Sequence, residues 1–224
     1  MSFDMERALI IGASGGIGSA VQQTLAMRDV DVTGIGRSNG LDVTDPAAVA
    51  KVMGALVGPF DLIFIAIGVL APQNGTPEKS LAAIDADVMA QVFALNAIGP
   101  ALILQHAARL LPRNERGVVA TLSARVGSVG DNHIGGWHSY RASKAALNQI
   151  VHGAAIELGR SHKQSICVAL HPGTVATEFT AKYAGRHKTV PPEGAAQNLL
   201  NVLEGLSPEQ SGGFFDYSGA VVPW

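Results

Sequence analysis

The sequence predicts a single α/β domain, a doubly wound parallel sheet flanked by helices. Three observations predict it. Short apolar runs alternate with longer helix-patterned stretches along the whole chain. A strand reads as a continuous apolar run when both sheet faces are covered, and strand–helix alternation is the signature of a parallel sheet. A glycine cluster follows directly on the first apolar run, and no repeat, low-complexity tract or linker-like shift divides the 224 residues. One domain over residues 1–224 is therefore expected.

The elements follow in order. Ala8–Ile11 reads as the first strand and Gly16–Met27 as the helix after the glycine cluster. Val30–Ile35 is the second strand, followed by the helix Pro46–Leu56. Leu62–Ile67 is the next strand, and Asp87–Leu111 a long helix that Gly99-Pro100 is expected to kink. Val118–Leu122 leads into a loop rich in Gly and His, Arg125–Ser139, and then the helix Tyr140–Leu158. Ile166–Leu170 precedes a second irregular segment, Thr177–Pro192. The helix Glu193–Leu206 and a strand around Gly213–Phe215 finish the pattern. Both irregular segments follow strand ends, where open α/β sheets bind ligands.

Composition narrows the class. Apolar residues make up 47% and charged residues 15%, which suits a large core and opposes disorder. Net charge is −2 without a Lys/Arg run, so no electrostatic footprint for nucleic acid or an anionic membrane is expected. Cys167 is the single cysteine, which rules out an internal disulfide and suits a reducing compartment. It lies in the apolar run Ser165–Leu170, so a buried inert thiol is expected. Met1–Arg7 carries acidic residues rather than the basic start of a signal peptide. No apolar run reaches the ~20 residues of a membrane helix. The expected location is cytoplasmic. No His/Cys/Asp/Glu spacing suggests a metal site.

The cluster Gly12-Ala13-Ser14-Gly15-Gly16-Ile17-Gly18 sits between strand and helix. Glycines there let the chain turn tightly and let a pyrophosphate approach the backbone, while the N–H groups at the helix start hold its charge. No Lys follows, so it is not a nucleoside-triphosphate loop. The reading is dinucleotide binding, with an ordinary glycine turn as the alternative. The second strand ends in Gly36-Arg37-Ser38. A carboxylate at that place would favour NAD(H) by binding the ribose hydroxyls, whereas a guanidinium pairs with a 2′-phosphate. Arg37 and Ser38 therefore point to NADP(H).

Tyr140 and Lys144 stand four apart in Tyr140-Arg141-Ala142-Ser143-Lys144, on one face of a helix. A phenol near pKa ~10 is a poor proton donor or acceptor at neutral pH. An adjacent ammonium is expected to lower that value, so that Tyr140 serves as general acid or base. Alone, such a pair is usually a surface feature.

With these motifs the chain resembles the short-chain dehydrogenase/reductase family, and its length and its ending Val221-Val222-Pro223-Trp224 are similar to the compact C-factor-like members. Further matches are Leu41-Asp42-Val43, Asn96 and Pro172-Gly173-Thr174-Val175-Ala176-Thr177. The resemblance implies a Rossmann-like fold and an NADP(H)-dependent carbonyl reductase or alcohol dehydrogenase acting on a small-molecule carbonyl or alcohol. It implies a catalytic set of Tyr140, Lys144 and Asn96, with Asn96 holding a water that links Lys144 to solvent. Asp42 and Val43 would contact the adenine. Pro172, Gly173, Val175 and Thr177 would seat the carboxamide, and Thr177–Pro192 would form a lid over the substrate. A homodimer or homotetramer is implied through the helices 87–111 and 140–158, where Ala94, Ala97, Ala101 and Ala145 permit close packing, with packing of those alanines against their own sheet as the alternative. Asn96 could instead bend or cap a helix, and Asp42 could build a turn or cap the helix at Pro46.

Three departures stand out. Ile11 replaces the usual Thr before Gly12. Ile65-Ala66-Ile67-Gly68 replaces the family's Asn-Asn-Ala-Gly, leaving backbone contacts at Ala66, Ile67 and Gly68. Ala124 occupies the slot of the catalytic serine in Ser123-Ala124-Arg125-Val126-Gly127-Ser128. Ser123 is named as the substitute, with Ser128 or His138 as alternatives. A chain without that donor could also be a non-catalytic NADP(H)-binding regulatory or signalling protein.

Overall fold

Six parallel strands in the order β2-β1-β3-β4-β5-β6 form the sheet of the computed structural model, which describes residues 5–72, 75–180 and 189–224. The strands are β1 (Arg7–Ile11), β2 (Asp31–Ile35), β3 (Leu62–Ile65), β4 (Gly117–Leu122), β5 (Ser165–His171) and β6 (Phe214–Asp216). β3 ends before the expected Ala66 and Ile67, which belong to the following loop. The order reverses between β1 and β3, and that switch point opens a crevice at the strand ends.

Alternate residues of each strand face opposite sides, and both sides are covered. Leu9, Ile11, Ile63, Ile65, Val119 and Cys167 pack in one core with Val49 and Met53 of α2 (Pro46–Ala55) and with Leu147 and Val151 of α6 (His138–Ser161). Ala8, Ile10, Phe64, Val118 and Val168 pack in the other with Val21 of α1 (Gly16–Ala26) and Leu199 of α7 (Pro192–Gly205). Both cores are fully apolar runs in sequence for this reason. Cys167 is fully buried, and burial pushes its thiol up to about 12.

The expected helix 87–111 is not continuous. It comprises α3 (Ala86–Phe93), a π-turn Ala94–Ile98, α4 (Gly99–Leu104) and α5 (Ala107–Leu110). Pro100 has no N–H to give Asn96, so the ladder slips by one residue, and Gly99 N–H bonds Ala94 O instead. The stretch Ala86–Leu104 has 19 residues and a mean hydropathy of 1.6. By length and composition alone it could cross a membrane, which corrects the expectation that no such stretch exists. Asn96 lies at its middle, and the stretch packs on α6, as a helix of the domain does. α2 is capped by Asp45, whose carboxylate accepts from Ala47 N–H. Ring stacking of Trp224 on Phe214 (5.9 Å) and the Gly130 N–H bond to Trp224 O (2.8 Å) tie the last residue to the loop after β4.

Candidate active site

The glycine turn is built by contacts only glycine allows. Gly12 has φ +86°, and its N–H bonds Ile35 O at 2.8 Å. A Cβ on Gly18 would lie 2.2 Å from Gly12 O, and one on Gly12 2.5 Å from Ala66 O. The turn is thus locked onto the β1 and β3 ends while Gly15 and Gly16 stay exposed. α1 starts with no side-chain cap and no acid in its first turn, leaving its N–H groups for an anion. A cleft of about 1060 Å³ runs from this turn along the sheet ends to Tyr140 and Lys144. A Cβ on Gly16 would lie 2.6 Å from Thr177 Cγ2, so the 172–177 segment closes the cleft from the opposite side. Length, uncapped helix start and backbone walls fit a dinucleotide.

Tyr140 and Lys144 lie one turn apart near the start of α6, and both are buried on the cleft wall. Lys144 Nζ donates to Leu122 O at 2.8 Å, which fixes the ammonium at the end of β4. Burial lowers the Lys144 amine to about 7. Burial also pushes the Tyr140 phenol well above its ordinary value. The direction is opposite to the lowering by Lys144 expected from the sequence, and burial is its cause.

The loop after β3 is fastened to this helix at two points. Asn96 Oδ1 accepts from Val69 N–H (2.7 Å), and Nδ2 donates to Val69 O (2.8 Å) and Ser143 Oγ (3.0 Å). Asn96 is fully buried and does not line the cleft. Farther along, the Glu78 carboxylate accepts from both the N–H and the hydroxyl of Ser139. Glu78 was not legible as a site neighbour, because the contact spans 61 positions.

At the carbonyl end, Ala124 lines the cleft where a hydroxyl was sought. Ser123 Oγ donates to Asn148 Oδ1 at 2.6 Å, deep between β4 and α6. Ser123 nevertheless lines the cleft beside Ala124, with its proton given to Asn148 in this structure. Ser128 Oγ accepts from Asp131 N–H, and His138 does not line the cleft. His171 also lines the cleft. Burial drops its imidazole to about 4 despite Asp216, so it is neutral at pH 7. Trp137 and Phe179 rings flank Tyr140 at 6.2 and 6.1 Å.

Other predicted contacts divide. Ser14, Gly15, Gly16, Ile17, Gly18, Ala66, Ile67, Gly68, Pro172, Gly173, Val175 and Thr177 all line the cleft. Arg37, Ser38, Asp42 and Val43 lie beyond its lining, on the loop after β2. Arg37 and Ser38 are exposed there in a short helical turn. Asp42 Oδ1 accepts from Thr44 Oγ1 (2.7 Å) and Thr44 N–H (2.9 Å), and these bonds hold its carboxyl below the usual value. It thus builds a turn, one of its two alternative roles. Val43 is buried against α4, where a Cβ on Gly99 would lie 2.9 Å from it. Among the described residues no group of three His, Cys, Asp or Glu gathers for a metal. Half of the predicted lid Thr177–Pro192, residues 181–188, lies outside the described residues.

The family model described as enoyl-(acyl carrier protein) reductase matches residues 33–202. A 1-hydroxy-2-glutathionyl-2-methyl-3-butene dehydrogenase of Rhodococcus sp. (strain AD45) is 31% identical, over 98% of this chain and 100% of its own. C-signal of Myxococcus xanthus is 38% identical over 65% of this chain and 84% of its own. Among solved structures, a short-chain dehydrogenase/reductase of Burkholderia multivorans with bound NADP superposes with a TM-score of 0.82 at 26% identity, covering 98% of this chain and all of its own. An NADPH-bound carbonyl reductase from chicken fatty liver gives 0.81 at 26% identity, over 99% of this chain and all of its own. Motifs, sheet order and these matches agree: the chain belongs to the short-chain dehydrogenase/reductase family.

Proposed function

We propose that the protein is an NADP(H)-dependent oxidoreductase that interconverts a small-molecule carbonyl and its alcohol, with Tyr140 as the general acid and base. One observation carries this reading: Tyr140 and Lys144 lie one helical turn apart on the wall of the cleft that begins at the uncapped start of α1. The NADP-bound and NADPH-bound relatives support the cofactor. When bound, the nicotinamide supplies or accepts the hydride.

The chain's own residues do the rest. The 12–18 turn binds the pyrophosphate, Arg37 and Ser38 the 2′-phosphate, and Asp42 and Val43 the adenine edge. Residues 66–68 and 172–177 enclose the nucleotide from both sides. Lys144 orients the nicotinamide ribose, and Tyr140 gives its proton to the substrate oxygen in reduction and takes it back in oxidation. The Asn96 side chain is spent on Val69 and Ser143. A water relay to Lys144 then falls to its main-chain carbonyl, whose partner four residues on, Pro100, has no N–H. The exposed face of the 86–104 stretch, with Ile98 at 53% exposure, supports a homo-oligomer, and a light-scattering mass tests it. The lone buried thiol supports a cytoplasmic location.

A second reading, a non-catalytic NADP(H)-binding regulator, is favoured by Ala124 and by the commitment of Ser123 to Asn148. The test is NADPH titration by fluorescence, then NADPH oxidation with a panel of ketones and aldehydes. Turnover that Tyr140→Phe lowers at least about 100-fold, with NADPH affinity retained, supports the enzyme. Tight binding without turnover on any compound supports the regulator. Arg37→Asp is expected to shift preference toward NADH, and an unchanged NADPH/NADH ratio removes the phosphate assignment.

A further inference from the structure

The catalytic helix begins two residues before Tyr140. The residue at its entrance, Trp137, has φ 52° and ψ 41° and makes no side-chain cap, and the first turn holds no acid. The N–H groups of a first helical turn need partners from elsewhere. Here they come from the segment after β3. Glu78 O accepts the Trp137 N–H at 2.5 Å. The Glu78 carboxylate accepts the Ser139 N–H at 3.3 Å and also the Ser139 hydroxyl. Glu78 is 8% exposed and Ser139 1%. Burial works against the Glu78 charge, yet the Ser139 bonds, the Glu78 backbone N–H and His138 together outweigh it and hold the carboxyl below its usual value. A carboxylate buried at this depth stays charged because the helix start supplies both donors and dipole.

Resting on the oxidoreductase reading, we propose that Glu78 is the positioning residue of the catalytic helix. It clamps the turn that carries Tyr140, and its negative charge opposes ionisation of the Tyr140 hydroxyl. Among the described residues, the other ionisable groups around the pair are His138, Arg141 and Lys144 on α6, Arg125 and His171 after the strand ends, Glu178 on the segment after β5, and Lys79 beside Glu78 itself. His138 acts directly on the Glu78 carboxylate. Arg141 is engaged with the carbonyls of Gly136 and Val126, and Arg125 with Asp131 and Asp216. Replacing Glu78 by glutamine removes the charge, keeps one oxygen to accept the Ser139 N–H and turns the other acceptor into an amide N–H that can donate to the Ser139 hydroxyl.

The test uses Glu78→Gln and Glu78→Ala in the whole protein. Glu78→Ala is expected to lower kcat by about 100-fold, the scale of an ångström-level misplacement, with NADPH affinity within about twofold. Glu78→Gln is expected to keep most of kcat and to move the phenol limb of the alcohol-oxidation profile to lower pH by roughly half a unit. A second readout needs no turnover. Of the three tyrosines, Tyr183→Phe and Tyr217→Phe leave Tyr140 as the one ring-labelled residue. Its NMR titration with NADP⁺ bound is expected to fall to lower pH in Glu78→Gln. An unmoved Tyr140 midpoint in Glu78→Gln overturns the charge role. A kcat loss in Glu78→Ala matched by equal losses of NADPH affinity and Tm, or no kcat loss, overturns the positioning role. Absence of turnover in the parent protein would sink the oxidoreductase reading, while the tyrosine midpoint would still decide the claim about Glu78.

Discussion

Lys144 holds its ammonium against the Leu122 carbonyl inside the protein, and there it gives up most of its hydration. The amine at about 7 in the folded chain compares with 10.5 when free. Between those values the unfolded chain binds more protons than the folded one, so stability rises with pH from about 7 toward 10.5. Below about 7 the cost of burying the charge is felt in full. Lys144→Met is expected to flatten that limb, read as the difference in urea midpoints between the two proteins across pH 6.5 to 9.5, roughly the titration window. Parallel slopes would mean that the buried amine does not titrate there. Tyr140 and Ser123 show what residue types cannot reveal. Both were recognisable as chemistry-bearing, but whether burial or a neighbouring cation sets the phenol depends on packing. That a hydroxyl is spent on Asn148 follows from a contact across 25 positions.

At the scale of elements, the strands and most helices were legible because two-sided burial writes itself as apolar runs. The exceptions have local causes. β3 stops at Ile65, and Ala66 N–H then bonds Ile11 O as the chain leaves the ladder at the switch point. The break in the long helix was foreshadowed by Gly99-Pro100, but its form was not. The missing N–H of Pro100 allows a π-turn, and that turn aims Asn96 at Val69 and Ser143. The sequence motif marked Asn96 as important, and the structure shows the side chain acting as a clasp on a loop. The Glu78 clasp carries no local pattern at all, since its acid and its helix are far apart in the chain. The Glu78 variants therefore probe a property of two elements joined, Glu78→Ala through the placement of the first turn of α6 and Glu78→Gln through the charge that faces it.

The whole molecule places its one thiol, fully buried, on β5, a strand flanked by β4 and β6 and covered by α6, where Cys167 Sγ lies 3.8 Å from Val151 O. A reagent is expected to reach that sulfur only when α6 leaves the sheet, a departure that would also dismantle the wall that bears Tyr140. Chromogenic labelling of this sulfur therefore clocks opening of the domain, one event per molecule, without an added probe. A nucleotide bound only by the closed form, at ~100 times its dissociation constant, is expected to slow that clock about 100-fold. Labelling at an unaltered pace would show that sulfur capture proceeds through a smaller breach that spares the nucleotide cradle.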